Sequence, residues 1–276
     1  MFVRCSVVLD PLEDKSYQSP IIGTLVYVPG GAFQRDANGA NLSTVLAFRM
    51  SKYEITRAQW VAVMGWMDPS HVTYSSGQND PVQNINWYHA IAFCNKLSLR
   101  EGLTPVYKVN GVNFSTLTYE QIPAENDYYW SNVEANWTAN GYRLPTEMEW
   151  MWAAMGADTT GWAKAFAGRN GTNVIDHCAW YYTNSYNKTH IVGTKIPNEL
   201  GLHDLSGNVW EWVWDWYVEY PTGRLENYKG PDLGSGRGLR GGSFVSNSSA
   251  CSVDYRNANS PYDRNSTIGF RVVKQY

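Results

Sequence analysis

Apolar residues recur with a helical period in only a few places along this chain. After Asn86 they fall at Trp87, Ala90, Ile91, Cys94 and Leu97, the spacing of one helix face, and the pattern stops near Gly102. Two further helix starts are written as capping boxes. Thr56 and Gln59 open a short helix that ends at Gly65, and Thr146 with Glu149, after Pro145, opens one that ends around Gly156. Residues 25–28 read as a strand that closes on a Pro-Gly-Gly turn, and residues 48–55 as another. Residues 103–140 and 157–240 mix Gly, Asn, Pro and aromatic residues with little period, the pattern of ordered loops with short strands. Residues 1–22 read as an N-terminal arm or leader remnant and residues 23–276 as one domain; no linker or repeat is marked.

Composition narrows the classes. The chain has 276 residues and a formal charge of −3, so it carries no basic footprint and nucleic acid is not an expected partner. Charged residues are few, while 13 Trp and 19 Tyr predict an aromatic core pinned by polar tips. No apolar run approaches the ~18 residues of a transmembrane helix, and the apolar stretch at the N-terminus is too short for a signal peptide. Such an N-terminus fits a cytoplasmic protein or one whose targeting segment has been removed. Cys5, Cys94, Cys178 and Cys251 show no metal or CxxC spacing, and Cys94 fits a small core hydrophobe.

The tail behaves differently. Residues 245–266 contain no Lys, Glu, Gln, Met or Trp and are rich in Asn and Ser, with Tyr, Asp, Ala and Val scattered among them. No apolar period runs through them, so they read as mostly loop. Such a mixture suits an adaptable binding surface, with Tyr for rigid contact area and Ser and Asn for hydrogen bonding. Val, Ser, Asn, Ala, Asp and Tyr are also the residues reached from the Asn codon AAC by changing its adenines, and the absent types are not. An ordinary Asn/Ser-rich surface loop is the alternative.

Several motifs together resemble the formylglycine-generating-enzyme/sulfatase-modifying-factor family. They are VYVPGGAF (26–33), FRMSKYEITRAQWVAVMG (48–65), DPVQNINWYHAIAFCNKLSLREGLTPVY (80–107), GYRLPTEMEWMWAAMG (141–156), GTKIPNELGLHDLSGNVWEWVWDWY (193–217), LRGGSF (239–244) and IGFRVV (268–273). The resemblance implies an irregular α+β fold of the C-type lectin-like type, with few strands and two to three helices. It also implies where a catalytic centre would lie. Enzymes of this family carry a cysteine pair just after GGSF that binds copper and oxidises a substrate cysteine. Here the second position is Cys251 but the first is Ser246, and a hard hydroxyl does not replace a thiolate for Cu(I). The chain therefore reads as a non-enzyme. Iron-dependent sulfoxide synthases on the same fold use three histidines. His71, His89, His177, His190 and His203 are scattered without HxH or HxxxH pairs and read as surface or core residues. No cofactor is required on this reading. A structural Ca²⁺ is implied by DLSGNVWE, with Asp204 and Glu211 giving carboxylates and Gly207 and Val209 giving carbonyls. The alternative is that these acids hydrogen-bond buried backbone among the Trp residues.

The tail is similar to a narrower group, the variable proteins of diversity-generating retroelements, in which template adenines are copied with errors. The resemblance implies a diversified region within 240–271. Gly241, Gly242, Cys251, Pro261, Gly269 and Phe270 would be fixed. The ligand-binding positions would be Val245, Ser246, Asn247, Ser249, Ala250, Asp254, Tyr255, Asn257, Ala258, Asn259, Ser260, Tyr262, Asp263, Asn265 and Ser266. Ser246, at the lost cysteine position, lies inside this set. The scaffold would fix the loops by pairing the chain ends as strands. The implied function is non-enzymatic, receptor- or adhesin-like binding of a protein or cell-surface ligand, and the implied location is the cell surface, as a lipoprotein with its signal removed. An oxidoreductase with altered chemistry and a module binding one fixed partner are the alternatives.

Overall fold

The computed structural model describes residues 15–169 and 173–276. Its strands are β1 (Tyr17–Ser19), β2 (Gly23–Val28), β3 (Gly31–Gln34), β4 (Leu42–Val45), β5 (Phe48–Ser51), β6 (Tyr107–Lys108), β7 (Glu134–Ala135), β8 (Tyr142–Arg143), β9 (Trp210–Trp216), β10 (Leu225–Glu226), β11 (Arg237–Arg240), β12 (Arg256–Asn259), β13 (Ile268–Gly269) and β14 (Val273–Gln275). The helices are α1 (Arg57–Met64), α2 (Trp87–Arg100), α3 (Tyr128–Ser131), α4 (Glu147–Ala154) and α5 (Ile175–Cys178). Helices begin where the caps are written. Thr56 with Gln59, and Thr146 with Glu149, each form both hydrogen bonds of a capping box, and Gly65 ends α1 at φ 68°.

The strands form a five-stranded sheet (β1-β2-β5-β14-β8), a four-stranded sheet (β12-β11-β9-β13), a three-stranded one (β10-β4-β3) and the β6–β7 pair. The chain ends share the first sheet but do not pair with each other, because β5 lies between β2 and β14. Residues 1–14 of the expected arm lie outside the described residues, and Tyr17–Ser19 is the sheet's edge strand, paired with β2. The strand read over 48–55 stops at Ser51, and Glu54 beyond it turns into the core, 1% exposed. The tail is less looped than its composition suggests. Arg256–Asn259 pairs along β11 as an edge strand, and Ser249–Cys251 forms a 3₁₀ turn. An edge strand buries little, so its polar side chains left no apolar period to read.

The core is aromatic, and its Trp indoles find partners in the main chain and in a buried carboxylate. Trp60 of α1 stacks on Phe93 of α2 at 6.0 Å, and Phe93 meets Phe270 edge-on at 5.1 Å. Trp152 of α4 stacks on Phe33 at 5.3 Å, and its indole N–H donates to the Pro29 carbonyl at 2.7 Å. A Cβ on Gly31 would sit 2.5 Å from the Trp152 ring, so only glycine admits this packing. Trp87 donates to the Val213 carbonyl at 2.8 Å. Cys94 is fully buried, as its helix face implies.

Candidate functional site

The site is the C-terminal segment laid across the four-stranded sheet. β11 is buried throughout between β9 and β12, so β12 presents its outer edge and the adjoining turns to solvent. What holds the segment is mostly main chain. The fully buried Arg240 donates to the carbonyls of Val253 (2.8 Å), Asp254 (3.2 Å) and Tyr255. The Tyr182 and Asn84 amides donate to the carbonyls of Ser246 and Asn265, both at 3.0 Å, and Trp87 N–H donates to the Pro261 carbonyl at 3.0 Å. The Asn86 side chain, which also caps α2, reaches the Tyr262 carbonyl at 3.2 Å. Below Arg240, Glu147 accepts two bonds from Arg256 at 2.7 and 2.8 Å. None of these anchors depends on which side chain stands at a candidate position.

Accessibility divides the segment in the same way. Gly241, Gly242, Cys251, Pro261, Gly269 and Phe270 are buried. Val245, Asn247, Ser249, Asp254, Tyr255, Asn257 and Asn265 are exposed. Ser246, Ala250, Ala258, Asn259, Ser260, Tyr262, Asp263 and Ser266 are half-buried. Tyr255 leans on Trp210 with ring centres 6.0 Å apart, and Tyr262 packs against the main core cluster. Several Asn side chains cap their own turns: Asn247 accepts from Ala250 N–H at 3.0 Å, and Asn265 from Thr267 N–H at 2.9 Å.

The position of the family's catalytic pair is now part of this frame. Cys251 is fully buried, and burial, helped by the nearby Cys178, pushes its thiol up to about 12. Burial thus favours the thiol over the thiolate that nucleophilic chemistry needs. Ser246 Oγ accepts from Ser243 N–H at 2.9 Å. The scattered histidines do not assemble: His71 and His177 are exposed, His190 and His203 half-buried, and His89 buried. His89 Nδ1 pairs with Asn86 Oδ1, while its Nε2 has no hydrogen-bond partner.

The DLSGNVWE acids lie in the interior. Asp204 accepts from Gly193 N–H at 2.7 Å through Oδ2, while its buried Oδ1 has no partner. Glu211 receives a bidentate pair from Arg271, both bonds 2.7 Å, and the Trp150 indole at 2.7 Å. That leaves one lone-pair direction on Oε1. Glu54 accepts from Asn208 at 2.7 Å and Val209 N–H at 3.1 Å. Burial and the charges of Asp204 and Glu211 hold Glu54 well above the usual carboxylate range. Burial raises Asp204 to about 6. Three enclosed carboxylates thus face one arginine. Among the described residues no three His, Cys, Asp or Glu side chains converge as a metal cluster, so an ion here would depend on the carbonyls of Gly207 and Val209.

Sequence reading reached the segment but missed its anchors. Arg240, Asn86 and Glu147 come from β11, the α2 cap and the first turn of α4. Only Arg240 adjoins the tail in sequence, and nothing in its type announced a clamp.

A C-type lectin-like scaffold of the formylglycine-generating-enzyme type, with a polar C-terminal surface fastened through its main chain, defines the class. The chain belongs to the family of the sulfatase-modifying factor enzyme 1-like domain, whose profile matches residues 13–276. Among solved structures it is similar to Treponema denticola variable protein 1, with 39% identity and a TM-score of 0.86 over 95% of this chain and 99% of that one. Among curated proteins it is 34% identical to the chaperone protein LppX of Paenibacillus barcinonensis over 91% of this chain and 89% of that protein. It is also 34% identical to the formylglycine-generating enzyme of Thermomonospora curvata, over 52% of this chain and 53% of the enzyme. The expected fold and the likeness to variable proteins are thereby shown.

Proposed function

We infer that this protein binds a ligand, without catalysis, through a C-terminal surface diversified by a retroelement. One observation carries the reading: every position expected to vary reaches solvent at least in part, and every position expected to be fixed is buried. The near full-length similarity to Treponema denticola variable protein 1 supports it. So does the enclosed Cys251 with Ser246 in place of its partner, which leaves no thiolate pair for copper. The ligand is a protein or cell-surface molecule, and the protein acts at the cell surface, where a changing binding face meets changing partners. No helix among the described residues is long and apolar enough to cross a membrane.

Calcium belongs to the same proposal. Asp204 Oδ1 and the remaining lone pair of Glu211 would take the ion with the Gly207 and Val209 carbonyls. An orphaned buried carboxylate oxygen, and three carboxyl groups enclosed with one arginine, support it.

The deciding experiment is genetic and chemical. The codons at the candidate positions should end in pyrimidines and match an adenine-bearing template beside a reverse transcriptase gene. Purine third bases at most of them would reduce the segment to an ordinary polar loop. The purified protein with added copper should leave the cysteine of a sulfatase-type peptide unconverted, and steady aldehyde formation by mass spectrometry would overturn the non-enzymatic reading.

A further inference from the structure

A groove of about 310 Å³ opens beside the C-terminal end of the variable segment, lined by Trp66, Met67, Pro69 and Tyr119 together with Thr118 and the acids Asp68 and Glu120. Trp66 meets Tyr119 edge-on at 5.7 Å, and Met67 stands 89% exposed. Met67 lies with the half-buried Trp66 and Tyr119 in one apolar patch, and it is this clustering, rather than exposure alone, that marks a contact surface. The groove is joined to the variable surface by Asn84. Its side-chain amide donates to the Pro69 carbonyl at 2.9 Å and its backbone N–H to the Asn265 carbonyl at 3.0 Å. From the other side Arg264 donates to the Tyr119 hydroxyl at 2.6 Å. Arg264 is exposed and makes no ion pair among the described residues, whereas Asp68 is already neutralised by Arg57 at 2.6 Å.

We propose that this groove is a constant subsite of the binding face, and that it receives an aromatic side chain flanked by a carboxylate on a partner protein. The walls suit a flat ring, which meets Trp66 and Tyr119 edge-to-face and takes the Met67 sulfur at its rim. The volume admits one side chain, not a folded element. Arg264 supplies the carboxylate's partner from the rim, since a guanidinium bonded to the Tyr119 hydroxyl through one N–H keeps others for charge-assisted bonds, while the exposed Glu120 confines the carboxylate to the Arg264 side. None of Trp66, Met67, Pro69, Tyr119 or Arg264 is a position expected to vary. The subsite is therefore the same in every copy, giving a shared affinity to which the variable residues add specificity.

This rests on the binding-surface reading, but its test does not need diversification. The whole chain is titrated with indole-3-acetate and, separately, with tryptamine, which carries the opposite charge, by saturation-transfer NMR. Indole-3-acetate should bind and tryptamine should not. Arg264→Gln should weaken binding by roughly threefold or more. Met67→Glu, at an exposed position, should abolish it while circular dichroism stays native. The double variant Asp254→Ala/Tyr255→Ala should bind as the parent does. Absence of binding, equal affinity for tryptamine, or unchanged affinity in both groove variants overturns the proposal. Loss of binding in the double variant also overturns it, by moving the site onto the variable surface, and leaves the broader reading standing. Purine third bases in the gene would do the reverse, removing diversification and leaving the groove.

Discussion

Arg240 fastens the C-terminal segment from its first position. Because its guanidinium takes three successive carbonyls, 253 to 255, it holds the path of the chain and ignores the side chains along it. Its removal would also strip Glu147, itself 2% exposed at the side chain, of one cationic neighbour at 3.6 Å. Arg240→Met should therefore cost about 3–5 kcal/mol in urea unfolding, the range for breaking a buried charged network. Asn257→Ala, exposed on the edge strand, should stay within about 0.5 kcal/mol. Equal costs would deny the division between clamp and surface. His89 offers a second test. Burial, and then the charge of Arg264, pushes it down from 6.5 to about 3, so it stays neutral in the folded chain. The unfolded chain binds a proton near 6.5, so between those two values the unfolded state holds more protons. The stability that neutral His89 allows is complete above about 6.5 and is lost as pH falls toward 3. His89→Phe should flatten the fall of the urea midpoint between pH 7 and 4; an unchanged slope would assign that acid sensitivity to other groups.

At the scale of elements, what could be read in the sequence was what repeats or caps. The α2 face from Trp87 to Leu97 and the Thr56 and Thr146 boxes stood where expected. Strands of two residues, such as Tyr142–Arg143 and Ile268–Gly269, have no room for a period. The partners of buried charges were equally hidden, because Arg271 and Glu211 meet across 60 positions of sequence and Arg256 and Glu147 across 109. Arg237, sandwiched between Trp87 and Trp216 at 3.8 and 3.7 Å, collects its aromatic neighbours from α2 and β9. The β12 edge was the element most misread, and its pairing with β11 is what substitution should test. Asn257→Tyr changes only the exposed side chain and should leave the melting temperature nearly unchanged. Asn257→Pro fixes φ and removes an N–H from the strand, and should destabilise by about 1–3 kcal/mol. If both variants melt together, β12 is not a stable strand in solution.

If the binding-surface reading holds, the whole molecule joins an interior that accepts few changes to a surface that accepts many. The interior can be probed through calcium. If the ion occupies the Asp204–Glu211 site, chelation should lower the melting temperature and added Ca²⁺ restore it, because an ion bound only by the native state stabilises it by mass action. Asp204→Asn should remove the response, and an unmoved melting temperature would leave those acids to their hydrogen bonds alone. The surface can be probed all at once. Replacing every candidate position from Val245 to Ser266 by a different residue drawn from Ser, Asn, Asp, Ala and Tyr leaves untouched the Arg240 clamp and the amides that hold the carbonyls of Ser246, Pro261 and Asn265. What such a swap removes is local: the Asn247 and Asn265 turn caps, the bonds of Ser246, Asn257 and Asn259 to nearby amides, the contact of Tyr255 with Trp210 and the packing of the half-buried Tyr262. Those losses are of order 1 kcal/mol each, and for a chain of this size each shifts melting by about 2–4 °C. The swapped chain should keep its near-UV circular dichroism and melt in one cooperative transition, lowered by no more than the sum of those local losses. Loss of the near-UV signal would mean that these side chains build the fold rather than ride on it, and the binding-surface reading would fall with it.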